Sequence, residues 1–177
     1  MFKNLKNFNP AEIEEKVLDF WRTNKIFEKS VEKPASGKPA GDYIFFDGPP
    51  FANGLPHYGH ILASIIKDAI PRYQTMKGKS VKRRWGWDCH GLPVEFETEK
   101  ELGLKSKKDI INFGIEKFNE AARVSVLKYE SEWKKTIPRI GRWVDMENPY
   151  KTMDVDYMES VLRVFKDLYD KDLIYKG

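Results

Sequence analysis

Two histidines, His57 and His60, stand three positions apart where a turn-rich loop passes into a helical pattern. At that spacing around a helix start both imidazoles can project to one side. Each then offers a ring N–H to a phosphoryl oxygen as charge builds in an in-line displacement. The first turn of a helix adds unpaired backbone N–H groups and the positive end of the dipole, both suited to phosphate. Gly59 between the histidines lets a flat ring approach the backbone. A surface histidine pair or a metal site are the alternatives that residue types alone leave open.

The elements that must position this pair follow from patterning. Asn9, Pro10 and Glu12 form a capping-box arrangement, which predicts a helix to about Lys25 with Ile13, Val17, Phe20 and Trp21 on its docking face. Residues 33–42 carry two Pro and two Gly and read as a surface loop. The aromatic and β-branched run from Tyr43 to Asp47 predicts a buried strand, followed by the loop from Gly48 to Pro56. Ile61, Ile65 and Ala69 predict a helix from Gly59 to Met76, kinked at Pro71 and ended by Gly78. A second βα step is expected around Ser80 to Trp85, leading into the segment Gly86 to Pro93. One long or two consecutive amphipathic helices should fill Lys107 to Thr136 and stop before Pro138. A further helix is expected over Asp154 to Asp170, with the closing LIYKG as a strand cut short. Strands alternating with helices argue for an α/β fold with a mainly parallel sheet, and in such sheets ligands bind beyond the strands' carboxyl ends, where the loop Gly48 to Pro56 would lie.

The chain has 177 residues, 41% hydrophobic and 33% charged, a globular balance that excludes wholesale disorder. Its formal charge of +4 is compatible with nucleotide or nucleic-acid partners without demanding them. The run Lys77, Lys79, Lys82, Arg83, Arg84 reads as a solvated basic edge or, less readily, as a patch for nucleic-acid phosphates. A single cysteine, Cys89, excludes an internal disulfide or a Cys-based zinc cage within the chain and makes the cytoplasm the expected compartment. No secretory signal and no run of about 20 apolar residues occurs, so no membrane association is expected. Cys89 and His90 are adjacent and therefore point apart, and no metal is expected here.

Pro56-His57-Tyr58-Gly59-His60 resembles the HIGH motif of class I aminoacyl-tRNA synthetases. Within that class, Asp47 to Gly54 (DGPPFANG) and Gly86 to Glu95 (GWDCHGLPVE) resemble the isoleucyl enzymes, and the likeness runs on through Arg139 to Asp145 and Leu173 to Lys176. The resemblance implies the first half of a Rossmann-like nucleotide-binding fold with N-terminal and inserted amphipathic helices. It implies that isoleucine is activated on ATP, with Mg2+ as the substrate complex, and passed to a cognate tRNA. His57 and His60 would then stabilise the transferring phosphate, and Gly59 would lie under adenine. Gly48 and Asn53 would help hold ATP, Pro49 would line the side-chain pocket, and Asp88 would bind the α-ammonium. No KMSKS-like loop occurs. The expectation is therefore an N-terminal half of a catalytic domain over residues 1–177, with 1–42 as helix and loop. Second catalytic half, editing and anticodon-binding domains would be absent. Such a chain, expected to be monomeric, would be inactive alone. One methylene separates isoleucine from valine by only about 1–3 kcal/mol, a limit for which this amino-acid pair is itself the standard worked example, and proofreading needs the missing parts.

Overall fold

A computed structural model describes residues 9–32 and 41–177. The loop expected over 33–42 lies mostly outside the described residues, which include only Gly41 and Asp42 of it. In order the elements are α1 (Pro10–Thr23), α2 (Ile26–Glu32), α3 (Tyr58–Met76), β1 (Arg84–Trp87), α4 (Leu92–Leu102), α5 (Lys107–Phe113), α6 (Ile115–Ser125), α7 (Glu130–Arg139), β2 (Asp145–Lys151) and α8 (Val155–Tyr169). Two compact units result. The first comprises residues up to Phe46, Ile61–Arg83 and Lys135–Val144, and the second Asp47–His60, Arg84–Lys134 and Asp145–Gly177.

In the first unit, the Asn9 side chain caps α1 by accepting from the Glu12 N–H at 3.5 Å. The Glu12 carboxylate does not return to the cap; it pairs with Lys16 at 2.9 Å, one turn on. Of the expected docking face, Ile13, Val17 and Phe20 stay exposed, while Trp21 packs edge-on against Trp143 with centroids 5.2 Å apart. Arg72 lies 4.0 Å over Trp143, bonds Asp68 and donates to the Gly141 carbonyl, and Asp68 accepts from the Trp143 N–H at 2.9 Å. An aromatic and guanidinium stack with its own counter-ion thus replaces a plain apolar core.

The expected strand from Tyr43 to Asp47 does not form. Asp42 makes a single parallel bridge to Ser80, and Tyr43 donates to the Ser80 carbonyl at 2.9 Å. Ile44 and Phe46 are 76% and 88% exposed. Aromatic and β-branched side chains favour a pleat, but only a neighbouring backbone makes a ladder, and among the described residues the segment pairs at that bridge alone. The closing residues 173–177 likewise take no regular structure. The basic run is not a uniform solvated edge either: Arg83 is buried, and Arg84 donates to the carbonyls of Asn148 and Pro149.

The second unit holds a two-stranded parallel sheet, β1 beside β2, with α4 to α7 in the crossover. The second βα step is therefore present, with its strand shifted to Arg84–Trp87. β2 is unanticipated, since DMENPYK has no alternation of apolar residues. Its register slips between Arg84↔Asp145 and Gly86↔Tyr150. The extra β2 residues are gathered by Asp145, whose Oδ1 accepts the N–H groups of Glu147 and Asn148, each at 3.0 Å. Burial raises the Asp145 pKa, but the bonds from Asn148 and Glu147 prevail and hold it below the usual value. The one long or two consecutive helices expected over Lys107 to Thr136 are three pieces, broken at Gly114 (φ +104°) and between Ser125 and Glu130. α7 continues through Pro138 to Arg139 instead of stopping before it, because a proline next to a helix's last residue forfeits only one late bond. α8 matches expectation, with Asp154 at its N-cap. Trp85, Trp87 and Trp133, each at most 1% exposed, form the core of this unit.

Candidate active site

Every sequence-predicted site residue lies in the second unit. The loop that carries most of them is held through its carbonyls. The Tyr150 hydroxyl donates to Asp47 O at 2.7 Å, Asp88 N–H to Pro50 O at 2.9 Å, Tyr129 N–H to Ala52 O at 3.1 Å, and the Trp133 indole N–H to Gly54 O at 2.8 Å. A parallel bridge between Phe51 and Asp88 lays the loop against the carboxyl end of β1, the place where open α/β sheets bind ligands. Tyr150 reaches Asp47 by crossing Gly86, where an added Cβ would fall 2.2 Å from its ring. Burial pushes the Tyr150 phenol above its ordinary pKa and keeps it a donor.

His57 and His60 are brought together, their rings stacked with centroids 3.7 Å apart. His57 Nδ1 accepts from the Gly59 N–H at 3.1 Å, and His60 Nδ1 accepts from the His57 N–H at 3.3 Å. The pair caps α3 itself, so these two N–H groups of the first turn are not left for a phosphate as the sequence suggested. The consequence is chemical: a neutral imidazole that accepts at Nδ1 carries its proton on Nε2. Each ring, when neutral, therefore donates from Nε2. Gly59 sits against the His57 ring, 3.0 Å from an added Cβ to Cε1, so a larger residue would displace that imidazole.

Asp88 follows the last residue of β1 and is half-buried. Its Oδ1 accepts from the His90 N–H at 3.4 Å and stands 3.5 Å from the Thr152 hydroxyl. Thr152 Oγ1 accepts the Cys89 N–H at 2.8 Å, which leaves its own proton directed to Asp88. Pro49 is half-buried and Gly48 exposed beside it. Asn53 has its amide committed, donating to Pro93 O at 2.9 Å and so tying the loop to α4. Cys89 is buried, and burial raises its thiol pKa, an inert setting for sulfur. Among the described residues no group of three His, Cys, Asp or Glu could hold a metal ion. Sequence reasoning named neither Thr152 nor Tyr150 for this site and gave Trp133 only a packing role; their sole signal is type, and their partners lie far along the chain.

A family model of tRNA synthetases class I (I, L, M and V) matches residues 16–177, and the chain belongs to that family. Its parallel pair with flanking helices is accordingly part of a class I, Rossmann-like synthetase fold. Among curated relatives, isoleucine–tRNA ligase 2 of Pseudomonas fluorescens is 61% identical over 165 residues, covering 93% of this chain and 16% of the relative. Isoleucine–tRNA ligase of Treponema denticola is 61% identical over 167 residues, 94% of this chain and 15% of the relative. That of Rickettsia felis is 56% identical over 171 residues, 97% and 15%. The chain thus spans about one-sixth of the length of the relatives it matches. A solved structure, the ternary complex of Agrobacterium radiobacter K84 agnB2 LeuRS with tRNA and LeuAMS, superposes with a TM-score of 0.56 at 25% identity, covering 92% of this chain and 18% of that one.

Proposed function

We propose that this chain supplies the HIGH-like half-site of an isoleucine–tRNA ligase, a cytoplasmic enzyme that forms isoleucyl-adenylate from ATP and passes the aminoacyl group to its tRNA. The observation that carries the reading is the stacked histidine pair, both Nδ1 atoms accepting backbone N–H groups, beside a loop bridged to Asp88. In the reaction a carboxylate oxygen of isoleucine attacks the α-phosphorus of ATP, brought as its Mg2+ complex. The bond to the bridging oxygen breaks and pyrophosphate leaves. Donors already aimed at the transferring phosphate are what this chemistry needs most. His57 and His60 supply two such donors through Nε2–H. Asp88, oriented by the Thr152 hydroxyl and the His90 N–H, receives the α-ammonium. Pro49 lines the side-chain pocket, Gly59 lies under adenine, and Gly48 and Asn53 help hold ATP.

The test is isoleucine-dependent ATP–pyrophosphate exchange, run on this chain and on a version extended to the length of its relatives. Exchange is expected in the longer protein and little or none in residues 1–177 alone; exchange in neither would sink the reading. In the longer protein, His60→Ala should slow adenylate formation by about a hundredfold with a smaller loss of ATP binding, the scale of losing one donor to developing charge. Asp88→Asn should raise KM for isoleucine by about tenfold or more and leave KM for ATP nearly unchanged, since it removes a charge-assisted bond to the amine alone.

A further inference from the structure

The torsion that aims an imidazole is broad, so the direction of His60 Nε2 depends both on the 3.3 Å bond that its Nδ1 accepts from the His57 N–H and on the rings it lies against. The rings of His57, itself exposed, and of Trp133, 4.8 Å away at 62°, both lie against it. Trp133 is 1% exposed and fixed from three directions. Its indole N–H donates to Gly54 O at 2.8 Å, and its ring packs on Trp87 at 5.8 Å and on Trp85 at 5.9 Å. Trp87 immediately precedes Asp88. A single rigid side chain on α7 therefore touches the loop before the histidines, the second histidine and the strand end that carries the carboxylate.

We propose that Trp133 is a positioning residue for His60: its ring holds the imidazole at the angle from which Nε2–H meets the transferring phosphate. The proposal rests on the ligase reading for its chemistry, but the contact itself does not. A tryptophan that only fills the core would cost stability when replaced. A tryptophan that aims a donor used in the transition state costs kcat and spares substrate binding. Phenylalanine separates the two properties of the indole, because it keeps a ring against His60 and loses the N–H to Gly54.

The experiment has two arms. In residues 1–177, the C–H resonances of the His60 imidazole are followed by NMR in wild type, Trp133→Phe and Trp133→Leu. Neighbouring ring currents should displace them in wild type and the Phe variant, and Leu should release part of that displacement. In the extended protein, Trp133→Leu should lower kcat for isoleucine-dependent exchange by about tenfold or more with both KM values within about twofold, and Trp133→Phe should stay within about threefold of wild type, since a misaim of about 1 Å costs up to about a hundredfold. An unchanged kcat in the Leu variant, a loss carried by KM, or an equal loss in Phe and Leu would each overturn the proposal. Should the Leu variant fail to fold, the Phe variant decides: a tenfold fall in kcat or loss of the His60 displacement overturns it. If the extended wild type shows no exchange, the ligase reading falls, while His60 resonances unmoved between wild type and Leu overturn the proposed contact independently.

Discussion

Arg83 carries its guanidinium into the first unit at 3% exposure and finds little there to bind. One nitrogen donates to Thr75 Oγ1, while Nε and Nη1 meet no acceptor. Burial pulls its pKa down to about 10, against the attraction of Asp68, whose carboxylate is already engaged by Arg72. The rings of Phe27 and Trp143, at 5.7 and 5.8 Å, face the cation but do not replace the missing acceptors. Two unpaired nitrogens and a desolvated charge cost more than a weak cation–π contact returns. Arg83→Met keeps the stem's length and apolar packing and removes the charge. It should therefore raise stability by about 1–3 kcal/mol, read as a higher urea midpoint at unchanged m-value. A lower midpoint would mean that the bond to Thr75 and the attraction of Asp68 outweigh the desolvation.

At the scale of elements, the contact between β1 and β2 depends on a missing side chain. Gly86 pairs with Tyr150 across the parallel ladder, and the Tyr150 ring occupies the space a Cβ would take. Gly86→Ala must push that ring off the strand, and with it the hydroxyl that fixes Asp47 O. The expected cost is about 1–3 kcal/mol of stability, measured by urea unfolding, because the intruded ring is packed and not a flexible chain end. This pairing also marks how far the fold was legible in the sequence. α8 and the cap of α1 were legible because their signals are local: an N-cap residue followed by period 3.6. β2 was not, because Asp145, Asn148 and Pro149 break any alternation and the strand exists only through its neighbour. Tyr43 to Asp47 erred the other way, with strand-like side chains and, beyond one bridge, no backbone to pair with among the described residues. At the site, the spacing of His57 and His60 foretold that their rings would meet, whereas Asp88 was named only through the family resemblance. The roles of Thr152, Tyr150 and Trp133 were not legible, since each acts on a residue more than sixty positions away.

Over the whole molecule, the shifted groups set limits on stability at both ends of the pH scale. Glu101, through its hydrogen bonds from Lys128 and Ser125, and Asp109, through those from Ser106 and Lys105, titrate below their ordinary values. Asp145 does so despite its burial. A carboxylate whose folded pKa is depressed adds stability that is present above its unfolded pKa and disappears as pH falls through the folded one. Cys89 and Tyr150 are raised by burial, and Lys128 by its bond to Glu101. Groups raised in the folded state add stability that is present below their unfolded pKa and lost as pH rises through the folded one. The urea midpoint of residues 1–177 should therefore be nearly flat between about pH 5 and 8, fall below about pH 4 as the carboxylates protonate, and fall again above about pH 9, until Arg83, with its pKa lowered to about 10, loses its buried charge and opposes the fall. Asp145→Asn should flatten the acid limb and leave the alkaline limb in place, whereas Tyr150→Phe should do the reverse. The two substitutions act at opposite ends of β2, so each reads the share of one limb that the strand contributes. A midpoint that holds steady from pH 7 down to about 3 would show that these carboxylates are no better solvated in the folded chain than in the unfolded one.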